Sequence, residues 1–169
     1  MQKNISRREA LKAIGLTMGT VAIGTQGFSQ IGEALTGNAT SPKGVAWLKQ
    51  LLGDEYRVHI IRLKPDLFHL DWLLSLNRPG LLTYCPEALI DPLPEPLSRW
   101  DKIEVRADEI AGANNLSIDE KTIVVPEHLT RIGEAYDKKG MNVLTIPAKD
   151  TIEYGSGPRC LTAVLRRDP

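Results

Sequence analysis

Short apolar runs with the two-residue alternation of a β-strand, broken by tight-turn signals, dominate the chain from residue 44 onward. They exclude a helical bundle. Tyr56–Leu63 alternates in this way, Phe68–Leu76 is a second run, and Leu81–Cys85 a third. Between the last two stands Asn77-Arg78-Pro79-Gly80, where proline presets φ and glycine takes a positive φ, so the pair reads as a hairpin. Asn115–Ile118 and Thr122–Val125 flank Asp119-Glu120-Lys121 as a second hairpin. Ile103–Val105, Met141–Ile146 and Cys160–Leu165 complete the expected strands, and Pro86–Pro96 reads as a loop. Helical spacing is confined to Gly44–Leu52, stopped by Gly53, and His128–Lys139, closed by Gly140. The order is mixed α/β. No glycine fingerprint for a dinucleotide and no P-loop is present.

The N-terminus differs. Lys3, Arg7 and Arg8 precede Leu11–Ile23, a mildly apolar run with Lys12 as its only charge. A positive stretch followed by a short apolar one has the layout of a targeting segment. Ser6-Arg7-Arg8-Glu9-Ala10-Leu11-Lys12 resembles the twin-arginine export motif, with Ala10 where phenylalanine is commonest. The expected division is a signal helix over 1–30, a Gly/Asn/Thr-rich linker over 31–42 and a body over 43–169. With no clean Ala-x-Ala site after the run, the segment is expected to stay attached, at the inner membrane or in the periplasm.

The 21 basic residues balance 21 acidic ones, which argues against bulk electrostatic binding to nucleic acid. Two cysteines, Cys85 and Cys160, are too few for a disulfide framework. His59, His69, Asp71 and Cys85 lack the Cys-x-x-Cys or His-x-x-x-His spacing of a metal site, so no metal is expected there. Glu127, His128 and Asp137 read as solvated helix residues.

Two places carry reactive groups. On a strand His69 and Asp71 would point to one face, a base beside a carboxylate. Cys160 follows Gly155-Ser156-Gly157-Pro158-Arg159, a loop whose glycines let backbone or substrate approach closely. A cysteine at such a junction is a candidate nucleophile. It is equally compatible with a small core side chain, and His69 with a hydrogen-bonded structural residue.

Four local sequences in order resolve the choice. Phe68-His69-Leu70-Asp71 resembles the His-x-Asp segment of amidinotransferases and arginine deiminases. Asn77-Arg78-Pro79-Gly80-Leu81-Leu82 is similar to the amidinotransferase Pro-Gly-Leu hairpin, and Ala113-Asn114-Asn115-Leu116-Ser117-Ile118-Asp119 to the Asn-x-Leu strand of these enzymes. Gly155-Ser156-Gly157-Pro158-Arg159-Cys160-Leu161-Thr162 resembles the Gly-Gly-Pro-Arg-Cys motif of arginine deiminases, and its Cys-Leu-Thr part that of the dimethylarginine hydrolases. The body is thus identified as resembling the C-terminal half of a pentein, an α/β-propeller of five ββαβ units around a pseudo-fivefold axis. Residues 43–169 have room for about two to three such units.

The resemblance implies the chemistry. Cys160 would attack a guanidinium carbon, and His69 would protonate the leaving amine and then activate the second nucleophile. Asp71 would hold the guanidinium by paired charge-assisted hydrogen bonds. Arg159 would contact an anionic part of the substrate or shape the loop. Water as second nucleophile makes a deiminase, and an amine makes an amidinotransferase. A small guanidine is the expected substrate and no cofactor is needed; the front half is missing, so the chain is expected to be a truncated product, or else one completed by a second copy or another chain. That half normally brings a further acidic residue, for which residues 1–42 offer only Glu9 and Glu33. A non-catalytic guanidinium-binding protein of the same fold is the alternative.

Overall fold

A computed structural model describes residues 21–23, 32–36, 40–67 and 69–163. One motif occurs three times. A hairpin-like antiparallel pair is followed by a helix and by a third strand parallel to the second, so each sheet has its second strand in the middle. The first repeat is β1 (Val21–Ile23), β2 (Gly32–Thr36), α1 (Pro42–Leu52) and β3 (Tyr56–Ile60). The second is β4 (Leu74–Arg78), β5 (Leu81–Tyr84), α2 (Glu95–Ser98) and β6 (Asp101–Glu104). The third is β7 (Leu116–Ser117), β8 (Thr122–Pro126), α3 (Thr130–Lys138) and β9 (Asn142–Ile146), with a short α4 (Lys149–Glu153) after it. The register is β1 to β2 antiparallel and β2 to β3 parallel, and the same alternation recurs in the other two sheets.

The described residues form two compact units. The first holds the first repeat up to Leu70 together with Ile90–Pro94. Ser41 caps α1, its Oγ accepting the Gly44 N–H at 3.1 Å, Pro42 fills the first turn, and Gly53 ends the helix at a φ of 61°. Leu48 and Leu52, one turn apart, pack against Tyr56 and Val58 of β3. Arg62 forks onto Asp91, Nε to Oδ2 at 2.6 Å and Nη2 to Oδ1 at 2.5 Å, and this holds the 90–94 segment to the unit.

The second unit spans Asp71–Leu89 and Glu95–Pro169. Its core draws on both sheets at once: Leu81, Ile103 and Val105 from the second repeat, Ile123, Val125 and Met141 from the third. Ile132 and Tyr136, four residues apart on α3, complete it. One helix thus serves two sheets. Gly80 (φ 80°) makes the β4–β5 turn and Gly140 (φ 74°) ends the α3 terminus, as the Pro-Gly and Gly signals require.

Four expectations differ from what the structure shows. The linker over 31–42 contains β2, whose five residues pair in parallel with β3 from Gly32↔Tyr56 to Thr36↔Ile60, a non-local ladder that its small residues conceal. The expected signal helix over 1–30 contains β1 at Val21–Ile23, while the Arg7-Arg8 motif lies outside the described residues. Phe68–Leu76 is not one strand: Leu70–Trp72 is a 3-10 turn and pairing starts at Leu74. The last expected strand is absent over residues 160–163, because its donors close locally, Leu161 N to Gly157 O at 3.2 Å and Thr162 N to Arg159 O at 3.2 Å. No helix among the described residues is long and apolar enough to cross a membrane.

Tyr136 yields a test of the core. It is fully buried, and its hydroxyl contacts Thr83 Oγ1 at 2.6 Å and accepts from Asn115 Nδ2 at 3.1 Å. Burial pushes its pKa up to about 12. A phenol whose folded pKa lies above its unfolded value of 10.0 contributes stability that is complete below pH 10 and lost as pH rises towards 12. Alkaline denaturation is expected to cost roughly 2–3 kcal/mol across that window, and Tyr136→Phe to abolish that share. At neutral pH Tyr136→Phe is expected to cost about 1–2 kcal/mol, since Thr83 keeps Asn77 Oδ1 and Asn115 keeps Gly112 O. Urea titrations of both chains at pH 8 and pH 11 check this.

Candidate active site

Three segments meet in the second unit. Asp71 sits in the 3-10 turn Leu70–Trp72, Asn114 caps the 3-10 segment Ala107–Ala113, and Cys160 sits in the turn after Gly157. The Cys160 Sγ lies 4.0 Å from Asp71 Oδ2, so two candidate residues 89 positions apart in sequence are neighbours. Asp71 takes part from a 3-10 turn, not from a strand on which it would share a face with His69 as expected.

Asn114 is fully buried between them. Its Nδ2 donates to the Asp71 carbonyl at 2.8 Å, its Oδ1 accepts the Cys160 N–H at 3.1 Å, and its own carbonyl accepts the Arg159 N–H at 3.3 Å. Its neighbours are fixed as well. Ser75 Oγ on β4 donates to Ala113 O at 2.5 Å, and Asn115 Nδ2 donates to Gly112 O at 2.5 Å and to the Tyr136 hydroxyl. Arg131 on α3 pairs with Glu109 and donates to Glu104 O, clamping the same segment from outside. The Arg131 hydrogen bond holds the Glu109 carboxyl below the usual carboxylate range.

The environment of Cys160 opposes ionisation. Burial first, and the Asp71 charge second, push the thiol pKa above its ordinary value. The Asn114 side chain, the Gly157 backbone and the Arg159 charge pull the other way without prevailing. Cys160 at rest is therefore a protonated thiol at neutral pH, not a preformed thiolate.

Arg159 is half-buried, and its backbone is tied to Asn114. His69 is exposed and lies in the first unit, which ends at Leu70. Cys85 is buried as a core side chain. Among the described residues no three His, Cys, Asp or Glu side chains converge as metal ligands. Asn114 had only a motif resemblance to mark it. The signal in the sequence was two adjacent asparagines directly before a strand, polar groups that burial would oblige to find partners.

No family model matches the chain. It is 27% identical over 143 residues to the mitochondrial glycine amidinotransferase of Gallus gallus, covering 76% of this chain and 34% of that one. It is 26% identical over 157 residues to the L-arginine:L-lysine amidinotransferase of Pseudomonas savastanoi pv. phaseolicola, covering 83% and 43%. Among solved structures, an amidinotransferase of the saxitoxin pathway of Microseira wollei superposes with a TM-score of 0.72 at 26% identity, over 81% of this chain and 45% of that one. A dimethylarginine dimethylaminohydrolase of Pseudomonas aeruginosa, at a TM-score of 0.63 and 19% identity over 74% and 48%, shares the fold. Its homologues are amidinotransferases, its structural neighbours include members of the pentein superfamily, and it spans less than half the length of the relatives it matches.

Proposed function

We propose that the chain carries the nucleophile and the guanidinium-holding carboxylate of a guanidine-modifying enzyme, an amidinotransferase or an amidine hydrolase acting on arginine-like substrates. The observation that carries this reading is the 4.0 Å approach of Cys160 Sγ to Asp71 Oδ2. A planar cation whose N–H groups lie on Asp71 presents its carbon at about the distance from which the sulfur can attack.

The raised thiol pKa fits this order of events. The guanidinium neutralises the Asp71 charge that disfavours the thiolate, so the nucleophile forms when its substrate is present. The Cys160 proton passes to solvent, sulfur adds to the guanidinium carbon, and the amine departs with a proton donated by the protonated His69. An amidino group remains on sulfur. His69 then deprotonates water or an acceptor amine, which displaces Cys160 and regenerates the thiol. Arg159 meets an anionic end of the substrate.

The remaining units of the propeller come, in this reading, from a second copy or from another chain. Incubation with arginine alone, then with glycine or lysine added, followed by mass analysis of the products, tests the activity. Citrulline identifies the hydrolase and a new guanidino compound the transferase. Neither product, in the presence of a chain carrying the remaining units, would sink the reading. The binding-only alternative is favoured by the resting protonated thiol alone, and it predicts guanidine affinity without either product.

Export by the twin-arginine route is also part of the proposal, resting on Ser6–Lys12. Cleavage after Ile23 would remove β1 from its sheet, so the exported chain is expected to keep its N-terminus. Replacing Arg7 and Arg8 with lysine is expected to abolish recovery in a periplasmic or membrane fraction, and unchanged fractionation would contradict it.

A further inference from the structure

We infer that Asn114 is the positioning residue that sets the separation between the Cys160 sulfur and the Asp71 carboxylate. Its amide carries a donor NH2 and an acceptor oxygen on separate atoms, and each is used on one partner: the donor on the Asp71 carbonyl at 2.8 Å, the acceptor on the Cys160 N–H at 3.1 Å. No other proteinogenic side chain of this size carries both. An aspartate would set an oxygen against the Asp71 carbonyl, and a leucine would leave both backbone groups unpaired. Asn114 is fully buried, so it acts through the two residues it ties rather than on a substrate.

A second contact locks the arrangement. A Cβ at Gly157 would stand 2.7 Å from Asn114 Oδ1, 2.9 Å from its Cβ and 3.0 Å from its carbonyl oxygen. Glycine is required there by space, in a loop that begins three residues before the cysteine. The backbone just before Asn114 is held by Ser75, which donates to Ala113 O, and by Asn115, which donates to Gly112 O, so the amide is a fixed reference for both partners. Its influence on the thiol runs the same way, since the Asn114 side chain favours the ionised sulfur.

The inference deepens the reading of Cys160 and Asp71 as a reactive pair and rests on it, but its test needs no turnover. The readout is the rate at which Cys160 reacts with neutral iodoacetamide between pH 7 and pH 10, followed by peptide mass spectrometry. Four backgrounds are compared with and without Asp71→Asn: the parent, Asn114→Ala, Gly157→Ala and Asn114→Gln. Near-UV circular dichroism establishes that each retains the parent fold. Gly157→Ala and Asn114→Gln keep the amide and only displace it, so they carry the test where Asn114→Ala unfolds.

In the parent, Asp71→Asn is expected to speed alkylation at neutral pH by about fivefold. In the Asn114 and Gly157 backgrounds that effect is expected to fall to less than about twofold, because the carboxylate and the sulfur no longer share a fixed geometry. An undiminished effect of Asp71→Asn in these backgrounds overturns the role of Asn114 while leaving the pair intact. Insensitivity of the parent itself to Asp71→Asn overturns the pair, and the inference with it.

Discussion

Asp71→Asn is expected to make Cys160 faster towards a neutral alkylating agent and slower towards a cationic one. Ionising the thiol places a second negative charge 4.0 Å from the carboxylate. Two unit charges at that separation repel by about 1 kcal/mol in water and about 4 kcal/mol at an effective dielectric of 20. Cys160 is an exposed residue, so the lower figure applies. Removing the charge lowers the thiol pKa and, at pH values below it, raises the thiolate fraction and the iodoacetamide rate about fivefold. In the proposed reading a haloamidine is drawn to the site by Asp71 itself. Losing charge-assisted hydrogen bonds of about 1.5–3 kcal/mol is expected to lower the ratio of haloamidine to iodoacetamide rates by roughly ten- to a hundredfold. Stopped-time mass analysis of both reagents on both chains measures that ratio, and an unchanged ratio would mean that Asp71 holds no cation.

Cys160→Ala is expected to remove the reaction altogether. In a covalent mechanism no neighbouring group substitutes for the sulfur, and loss of such a nucleophile lowers turnover by roughly 10⁴-fold or more. Cys85 is completely buried and no substitute. Guanidine binding is expected to survive, because Asp71 and its turn are held by Asn114 Nδ2 rather than by the thiol. Isothermal titration of arginine into Cys160→Ala, beside a product assay, separates the two. Retained turnover would exclude Cys160 as nucleophile.

The parts of the fold that sequence exposed were those set by local chemistry. Pro79-Gly80 could be read as a turn because proline and glycine impose it, and Ile132 and Tyr136 as one face of a helix because four residues make a turn. The parts it hid depend on distant partners. The Phe-His-Leu-Asp run alternates like a strand, yet the Asp71 carbonyl is taken by Asn114, which lies 43 residues further on, and the segment turns instead of pairing. Gly32–Thr36 has little strand character of its own and becomes a strand by lying beside β3. Cys160 and Asp71 could be read as reactive residue types, but their 4.0 Å approach could not. The adjacent asparagines marked polar groups that burial would oblige to find partners, yet nothing local said which backbone groups Asn114 ties or that burial and Asp71 raise the thiol pKa.

The most direct test of the central claim is to quench the protein in acid during reaction with a guanidine substrate, and separately after reaction with a haloamidine, and to map the modified residue by peptide mass spectrometry. An amidino group on Cys160, absent from Cys85 and lost in Cys160→Ala, is the predicted result. No adduct with either reagent, or one spread over both cysteines, would contradict a guanidinium-directed nucleophile at Cys160.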